Sequence, residues 1–119
     1  MRIRRKPWAR PELAACSFFV DEPCLHKGKW ADWFEKQQPL HLELGCGKGG
    51  FVAQLALANP GINYLAVDIK SEVLAIGRRE IVRLFEENGR RVSNVALMSH
   101  DIARIDQMLS PDDRIERIY

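Results

Sequence analysis

The chain has 119 residues, of which 46% are hydrophobic, and its formal net charge is +2. This length allows one domain with its own core. The sequence contains no apolar run long enough to cross a membrane. The small net charge gives no compositional argument for nucleic-acid binding. Three cysteines without metal-ligand spacing and three separately placed histidines predict a reduced, cytoplasmic protein without a metal site.

Positive charge is concentrated at the amino terminus, where five basic residues precede the first acidic residue: Arg2, Arg4, Arg5, Lys6 and Arg10. A basic arm on a nearly neutral body is typical of a tail that contacts phosphates, so we assign Arg2, Arg4, Arg5 and Lys6 to nucleic-acid binding. A solvated, frayed terminus is the alternative. We predict that residues 1–38 form this arm and a short helix at 27–36, whose aromatic residues pack in the core.

Residues 39–119 are predicted to form the amino-terminal part of an α/β domain. Strands are expected at 40–44, 62–67, 95–98 and 114–119, and helices at 51–58, 71–87 and about 102–109. Arg78, Arg79 and Arg83 lie off the apolar face of the long helix and are interpreted as solvated. Alternating strands and helices imply a parallel sheet with helices on both faces. Because such a sheet normally continues beyond a fourth strand, we expect a longer protein, truncated here after the start of that strand.

The most informative segment joins the first of these strands to the helix after it. Gly45, Gly47 and Gly50 come directly after an apolar strand that carries Glu43. Glycines in such a turn allow a ligand to approach the backbone closely, and Asp68, which ends the next strand, lies at the same edge of a parallel sheet. The spacing also satisfies G-x-G-x-x-G, so a dinucleotide site is an alternative. Glu43 argues against it, because its charge would repel a pyrophosphate.

Three carboxylates around one pocket favour S-adenosylmethionine as the cofactor, since it carries an ammonium group, ribose hydroxyls and an adenine amine but no phosphate. We assign Glu43 to its methionine end and Asp68 to its ribose. Asp101, which comes after the third predicted strand, is assigned to adenine, with Ile69 and Ile102 as apolar walls. A purely structural role as a helix cap is the alternative for Asp101.

With these residues in view, the chain resembles the bacterial tRNA (guanine-N7)-methyltransferases over essentially its whole length. The most specific part is the segment His-Leu-Glu-Leu-Gly-Cys-Gly-Lys-Gly at positions 41–49. The other matching segments are Arg2-Ile3-Arg4, Lys6-Pro7-Trp8-Ala9, Lys29-Trp30, Asn63-Tyr64, Asp68-Ile69-Lys70 and residues 113–119. The resemblance implies a Rossmann-like methyltransferase fold and cofactor contacts at Glu43, Asp68 and Asp101.

The implied activity is transfer of a methyl group from S-adenosylmethionine to N7 of a guanosine in tRNA. Members of that family continue into an Asn-Phe-x-x-Pro-Trp-Pro-Lys segment, which, together with the residues after it, holds the catalytic aspartate and much of the tRNA surface. The resemblance therefore implies the function of a parent protein, and we assign no catalytic residue here. Two alternatives remain: another S-adenosylmethionine-dependent methyltransferase that acts on a small molecule or protein, and a dinucleotide-binding oxidoreductase fragment or non-catalytic binding module.

Overall fold

The computed structural model describes residues 6–119, so the predicted tRNA contacts Arg2, Arg4 and Arg5 lie outside the described residues. Five strands form one sheet: β1 (Phe19–Val20), β2 (Leu40–Leu44), β3 (Asn63–Asp68), β4 (Val95–Ser99) and β5 (Ile115–Ile118). The α-helices are α1 (Ala9–Ala14), α2 (Trp30–Trp33), α3 (Gly50–Ala58) and α4 (Ser71–Glu87), and short 3-10 helices span Pro23–His26, Ile102–Gln107 and Pro111–Asp113. Among residues 6–119, no helix has the length and apolar character needed to cross a membrane.

The sheet is entirely parallel, with the strand order β1-β4-β3-β2-β5. The predicted α/β fold with a parallel sheet is confirmed, and strands β2 to β5 agree with the predicted strands to within one residue at each end. Strand β1 was not predicted, because Phe19 and Val20 are too few residues to show an alternating pattern. They form a strand only by pairing with Leu97 and Met98 of β4.

Both faces of the central strands are buried, which explains their almost continuous apolar sequence. In β3 and β4, alternate residues belong to two separate core clusters. One face carries Tyr64, Ala66, Val95 and Leu97, and the other carries Leu65, Val67, Ala96 and Met98. Strand β5 is more open, since Ile118 at its end is 60% exposed. Phe51, on the apolar helix α3, is likewise 50% exposed, so the described residues leave one side of this helix uncovered.

Helix α1 packs against α4 and joins the amino-terminal residues to the body of the fold. Ala9 and Leu13 of α1 are buried in the core. Glu12 bridges two arginines of α4, accepting hydrogen bonds from Arg78 Nε at 3.3 Å and from Arg79 Nε at 2.9 Å. The interpretation of these two arginines as merely solvated is therefore wrong. Sequence periodicity could not show this contact, because the partner carboxylate lies 66 residues earlier in the chain.

Two predicted helices differ from the observed ones. The helix expected at 27–36 contains only one α-helical turn, α2, because Phe34 has extended backbone angles. The core position predicted for its aromatic residues is confirmed at Trp30, which is fully buried and donates from Nε1 to the carbonyl of Met108 at 2.7 Å. The helix expected at 102–109 is a 3-10 helix with non-helical angles at Arg104.

The loop before α2 is held by an acid from the other end of the chain. Asp113 is buried and accepts hydrogen bonds from the backbone N–H groups of Gly28, Trp30 and Ser110, at 2.9, 3.1 and 2.8 Å. These bonds satisfy a buried carboxylate, which would otherwise be costly. Asp113 is therefore part of the structural framework rather than of the candidate site.

Candidate cofactor site at the carboxyl edge of the sheet

The three predicted cofactor acids lie at one edge of the sheet. Strands β2, β3 and β4 are neighbours, and their parallel register pairs Leu44 with Val67 and Asp68 with Ser99. Glu43 is the second-last residue of β2, Asp68 ends β3, and Asp101 lies two residues after β4. Ligands of open parallel sheets bind beyond the carboxyl ends of the strands, so the predicted grouping coincides with the favoured ligand edge.

A glycine turn connects β2 to α3 at this edge. Gly45, Gly47 and Gly49 have φ angles of 71°, 55° and 78°, in the left-handed region that favours glycine. The N–H groups of Gly45 and Cys46 donate to the carbonyl of Val67, at 2.8 and 3.0 Å. These bonds join the turn to the end of β3, so the two N–H groups are not directed at an anion as in a phosphate-binding loop.

One side of the glycine turn is closed by α4. A Cβ at Gly49 would lie 2.8 Å from the carbonyl oxygen of Gly77, and a Cβ at Gly77 would lie 3.2 Å from that of Gly47. Gly77 is a site residue that sequence reasoning missed, although a glycine in the middle of a long helix is a signal for close packing.

The other side of the turn is open. A Cβ at Gly47 would meet no atom of the described residues within 4 Å, and a Cβ at Gly45 would meet only Ile102 Cδ1, at 4.0 Å. The turn therefore offers uncovered backbone beside the side chain of Ile102, in a place where a ligand could lie against it.

Glu43 is the unusual group of this site. Its side chain is buried, with 6% of the residue exposed, and its Oε2 has no hydrogen-bond partner among residues 6–119. Burial raises the pKa of this carboxyl from 4.5 to about 7. A buried polar atom without a partner costs stability, and such atoms occur where a ligand completes the site. A cationic donor at Oε2 would satisfy this carboxylate.

Cys46, in the glycine turn, has a thiol whose pKa is raised. Its thiol is buried, and its pKa is raised mainly by desolvation and further by the charges of Glu43 and Asp68. Because the thiolate is the nucleophilic form of cysteine, a thiol with a raised pKa is inert, and Cys46 has a packing role.

Asp68 supports the glycine turn from the neighbouring strand. Its Oδ2 accepts from the N–H of Gly47 at 2.9 Å, and its Oδ1 accepts from the N–H of Ile69 at 2.7 Å. The side chains of Ile69 and Ile102, predicted as apolar walls, are exposed at this edge, to 58% and 36%. Asp68 therefore has a structural role, since it holds the backbone of the glycine turn and of the residue that follows β3.

Asp101 and Lys6 form local hydrogen bonds within the protein. These bonds neither support nor contradict the predicted ligand contacts of the two residues. Asp101 is exposed, and its Oδ1 accepts from the N–H of Ala103 at 3.0 Å, which caps the adjoining 3-10 helix. The alternative role is thus observed, and the adenine contact stays a prediction. Lys6, the first described residue, accepts through its carbonyl from the N–H of Ala9 at 3.1 Å, and its tRNA contact also stays a prediction. Among residues 6–119, no cluster of His, Cys, Asp and Glu could hold a metal ion.

A parallel sheet with a glycine turn and successive acids at its carboxyl edge is typical of the Rossmann-like methyltransferase class. The chain belongs to a family of methyltransferases: residues 37–119 match a family model described as putative methyltransferase. The predicted methyltransferase fold is confirmed by this match.

Several relatives of known name are similar to the whole chain. A protein of Ruminiclostridium cellulolyticum is 58% identical over 120 residues, which cover 100% of this chain and 51% of the relative. Relatives from Clostridium perfringens strain 13 and Acetivibrio thermocellus are 53% and 50% identical, and 55% of each is covered. All three are named tRNA (guanine-N(7)-)-methyltransferase, so the predicted resemblance is confirmed. The chain spans about half the length of these relatives.

Proposed function

We propose that this chain supplies the S-adenosylmethionine-binding half of a tRNA (guanine-N7)-methyltransferase. The names of the relatives support the activity, and one structural observation carries the cofactor assignment: the buried Oε2 of Glu43 has no partner within residues 6–119. On this proposal the protein works on tRNA in the cytoplasm. We propose that the chain is divided as the sequence suggests, into an arm and short helix at residues 1–38 and a methyltransferase domain at residues 39–119.

The residues present fit this cofactor better than a dinucleotide. Glu43 offers a carboxylate acceptor to the ammonium group at the methionine end, and an ammonium there would lower the pKa that burial raises. The N–H groups of Gly45, Cys46 and Gly47 are already bonded within the protein, so they are not free for a pyrophosphate. The open side of Gly45 and Gly47 leaves room for the ligand against the backbone.

The proposed contacts to ribose and adenine follow from the positions of Asp68 and Asp101 along the carboxyl edge of the sheet. Asp68 is proposed to accept hydrogen bonds from the ribose hydroxyls while it continues to hold the N–H of Gly47. Asp101 is proposed to accept from the exocyclic amine of adenine, with Ile69 and Ile102 against the faces of the base. Burial of adenine between two exposed isoleucines would remove apolar surface from water, which favours binding.

S-adenosylmethionine, when bound, supplies a methyl group activated by the adjacent sulfonium. Guanine N7 carries an in-plane lone pair, so the reaction needs no residue to remove a proton. The protein's part is to hold both partners in line and to exclude water, and such positioning can lower a barrier by roughly 7–11 kcal/mol in favourable cases. This chain therefore needs to supply binding and orientation, and none of its residues is proposed as catalytic.

The cofactor proposal is tested by titration calorimetry with S-adenosylhomocysteine on the chain and on Glu43→Gln. Loss of the charge-assisted contact should weaken binding about tenfold or more. Glu86→Gln is the matched control, because Glu86 is an exposed residue near the end of α4. NAD is titrated in parallel. Equal binding by Glu43→Gln and the control, or tight NAD binding, would contradict the proposal.

The activity is tested with a chimera in which this chain replaces the aligned residues of the R. cellulolyticum relative. Bulk tRNA is incubated with labelled S-adenosylmethionine, digested to nucleosides and analysed by mass spectrometry. We expect 7-methylguanosine from the chimera and a large loss of it when Glu43→Gln is introduced. A methylated small molecule or protein, with unmodified tRNA, would instead favour another methyltransferase.

A further inference from the structure

A second groove lies next to the glycine turn and has no role in the cofactor site. It has a volume of about 520 Å³ and lies between the amino end of α1, the turn and the exposed side of α4. Its lining combines apolar and charged side chains: Trp8, Lys48, Ile76, Arg79, Glu80 and Arg83. The groove is not lined by Glu43, Asp68 or Asp101, so it is distinct from the proposed cofactor pocket.

The aromatic wall of this groove is held in place by α4. The guanidinium carbon of Arg79 lies 3.7 Å from the centroid of the Trp8 ring. Arg79 also donates from Nη2 to Glu12 at 2.9 Å, so the arginine is fixed between the two residues of the amino-terminal segment. Stacking of a guanidinium on an indole ring restrains both groups. The wall is thus formed before any ligand arrives.

The groove can offer cationic donors to an anionic ligand, although both of its arginines are paired with glutamates. Three basic side chains and one acidic side chain line it. Arg83 forms exposed ion pairs with Glu80 and Glu87 along the same helix, and ion pairs of this kind contribute little to stability. A phosphate can therefore take part of the hydrogen bonding of Arg83 at small cost. Lys48 is exposed and adds another cation to the lining.

We infer that this groove binds a nucleotide of the RNA substrate, with the base against Trp8 and Ile76 and the phosphate near Lys48 and Arg83. Aromatic rings beside cations are the usual recognition pattern for unpaired nucleotides. In the sequence, the basic residues Arg2, Arg4 and Arg5 precede Trp8 by three to six positions, so the sequence just before Trp8 is rich in positive charge. The inference rests on the proposed function, because RNA is the substrate proposed there.

Cross-linking locates the RNA contact directly. The chain is mixed with bulk tRNA, irradiated with ultraviolet light, digested, and analysed by mass spectrometry for nucleotide-modified peptides. We expect the modification on the peptide that contains Trp8. The buried Trp30 is the internal control, since it is fully enclosed and should stay unmodified. Modification confined to other peptides would overturn the inference.

Salt-dependent affinity tests the same groove without cross-linking. Arg83→Gln removes one charge from the lining, and Arg91→Gln removes one from an exposed arginine that pairs with Glu35 outside the groove. We expect Arg83→Gln to weaken tRNA binding several-fold and to flatten the slope of log K against log salt by about 0.7, as for one lost phosphate contact. Arg91→Gln should leave both values close to those of the unmodified chain.

Titration of S-adenosylhomocysteine separates failure of this inference from failure of the proposed function. If Arg83→Gln and Arg91→Gln bind tRNA alike while cofactor binding is intact, the groove assignment is overturned and the methyltransferase proposal stands. If the chain binds no tRNA at low salt, the groove assignment is overturned as well. If the unmodified chain does not bind S-adenosylhomocysteine, that result alone contradicts the proposed function.

Discussion

The backbone N–H of Gly47 donates a hydrogen bond of 2.9 Å to Oδ2 of Asp68. This bond links the glycine turn after β2 to the last residue of β3, across two neighbouring strands. The acid that we assign to the cofactor ribose is therefore also part of the support of the turn. A substitution at Asp68 should change both cofactor affinity and local stability, and the two effects can be separated.

Asp68→Ala removes the acceptors for the N–H groups of Gly47 and Ile69. We expect it to lower the free energy of unfolding by about 2–3 kcal/mol, because both bonds go to a charged acceptor. Asp68→Asn keeps one oxygen and should destabilise less. If Asp68 also binds the ribose, both variants should lose affinity for S-adenosylhomocysteine. Urea unfolding and calorimetry give the two values, and unchanged affinity in Asp68→Asn would refute the ribose contact.

The buried carboxyl of Glu43 should make stability depend on pH. Its pKa is raised from 4.5 to about 7, so the folded chain keeps a proton that the unfolded chain has lost. The free energy of unfolding should therefore fall as the pH rises from about 4.5 to 7, by up to about 3 kcal/mol. Urea unfolding between pH 5 and pH 8 measures this fall.

Glu43→Gln is the comparison for this prediction, since the amide does not titrate. As the pH rises, the protein with Glu43 should lose stability relative to Glu43→Gln. Saturating S-adenosylhomocysteine should reduce the difference, because its ammonium group would stabilise the Glu43 carboxylate. Parallel pH profiles for the two proteins would show that Glu43 ionises normally.

Local patterns were sufficient to predict the core of the fold and the edge at which the acids meet. The strands β2 to β5 are long enough to show apolar runs between turn residues, and each acid was placed by its position at or just beyond the carboxyl end of a strand. The edge was predicted from the geometry of parallel sheets, which requires no knowledge of side-chain contacts.

What could not be predicted depends on partners far apart in the sequence. Helix α1 buries Ala9 and Leu13 and pairs Glu12 with Arg78 and Arg79 of α4, and the two-residue strand β1 exists only beside β4. In the site, the close approach of Gly77 and the lack of a partner for Glu43 Oε2 among residues 6–119 are features of three-dimensional packing. A sequence identifies such residue types but not whether their polar groups are satisfied.

Asp113 provides a test of the framework away from the cofactor edge. Asp113→Asn leaves one acceptor oxygen for the three N–H groups that the carboxylate now binds. We expect a loss of about 2–4 kcal/mol in the free energy of unfolding, because buried donors lose a charged acceptor. Asp112→Asn is the matched control, since Asp112 is exposed. Equal urea midpoints for the two variants would show that the loop at residues 28–30 is held in another way.

The packing of the glycine turn against α4 leads to a last prediction, for Gly49→Ala. The new Cβ would lie 2.8 Å from the carbonyl oxygen of Gly77, and the φ of 78° is unfavourable for alanine. Since the carbonyl of Gly77 belongs to tightly packed helix backbone, we expect a loss of about 2–4 kcal/mol from steric overlap and backbone strain. The turn should also shift and weaken binding of S-adenosylhomocysteine.

Gly61→Ala is the control for the change of glycine to alanine. A Cβ at Gly61 would meet no described atom within 4 Å, and its φ lies outside the left-handed region. Alanine there should be neutral or should stabilise the fold by up to about 1 kcal/mol, because it restricts the unfolded chain. Urea unfolding of the two variants, with calorimetry at a temperature where both are folded, measures the contrast. If Gly49→Ala melts and binds like Gly61→Ala, the turn can move away from α4 without loss, and close packing against Gly77 is not what shapes the cofactor site.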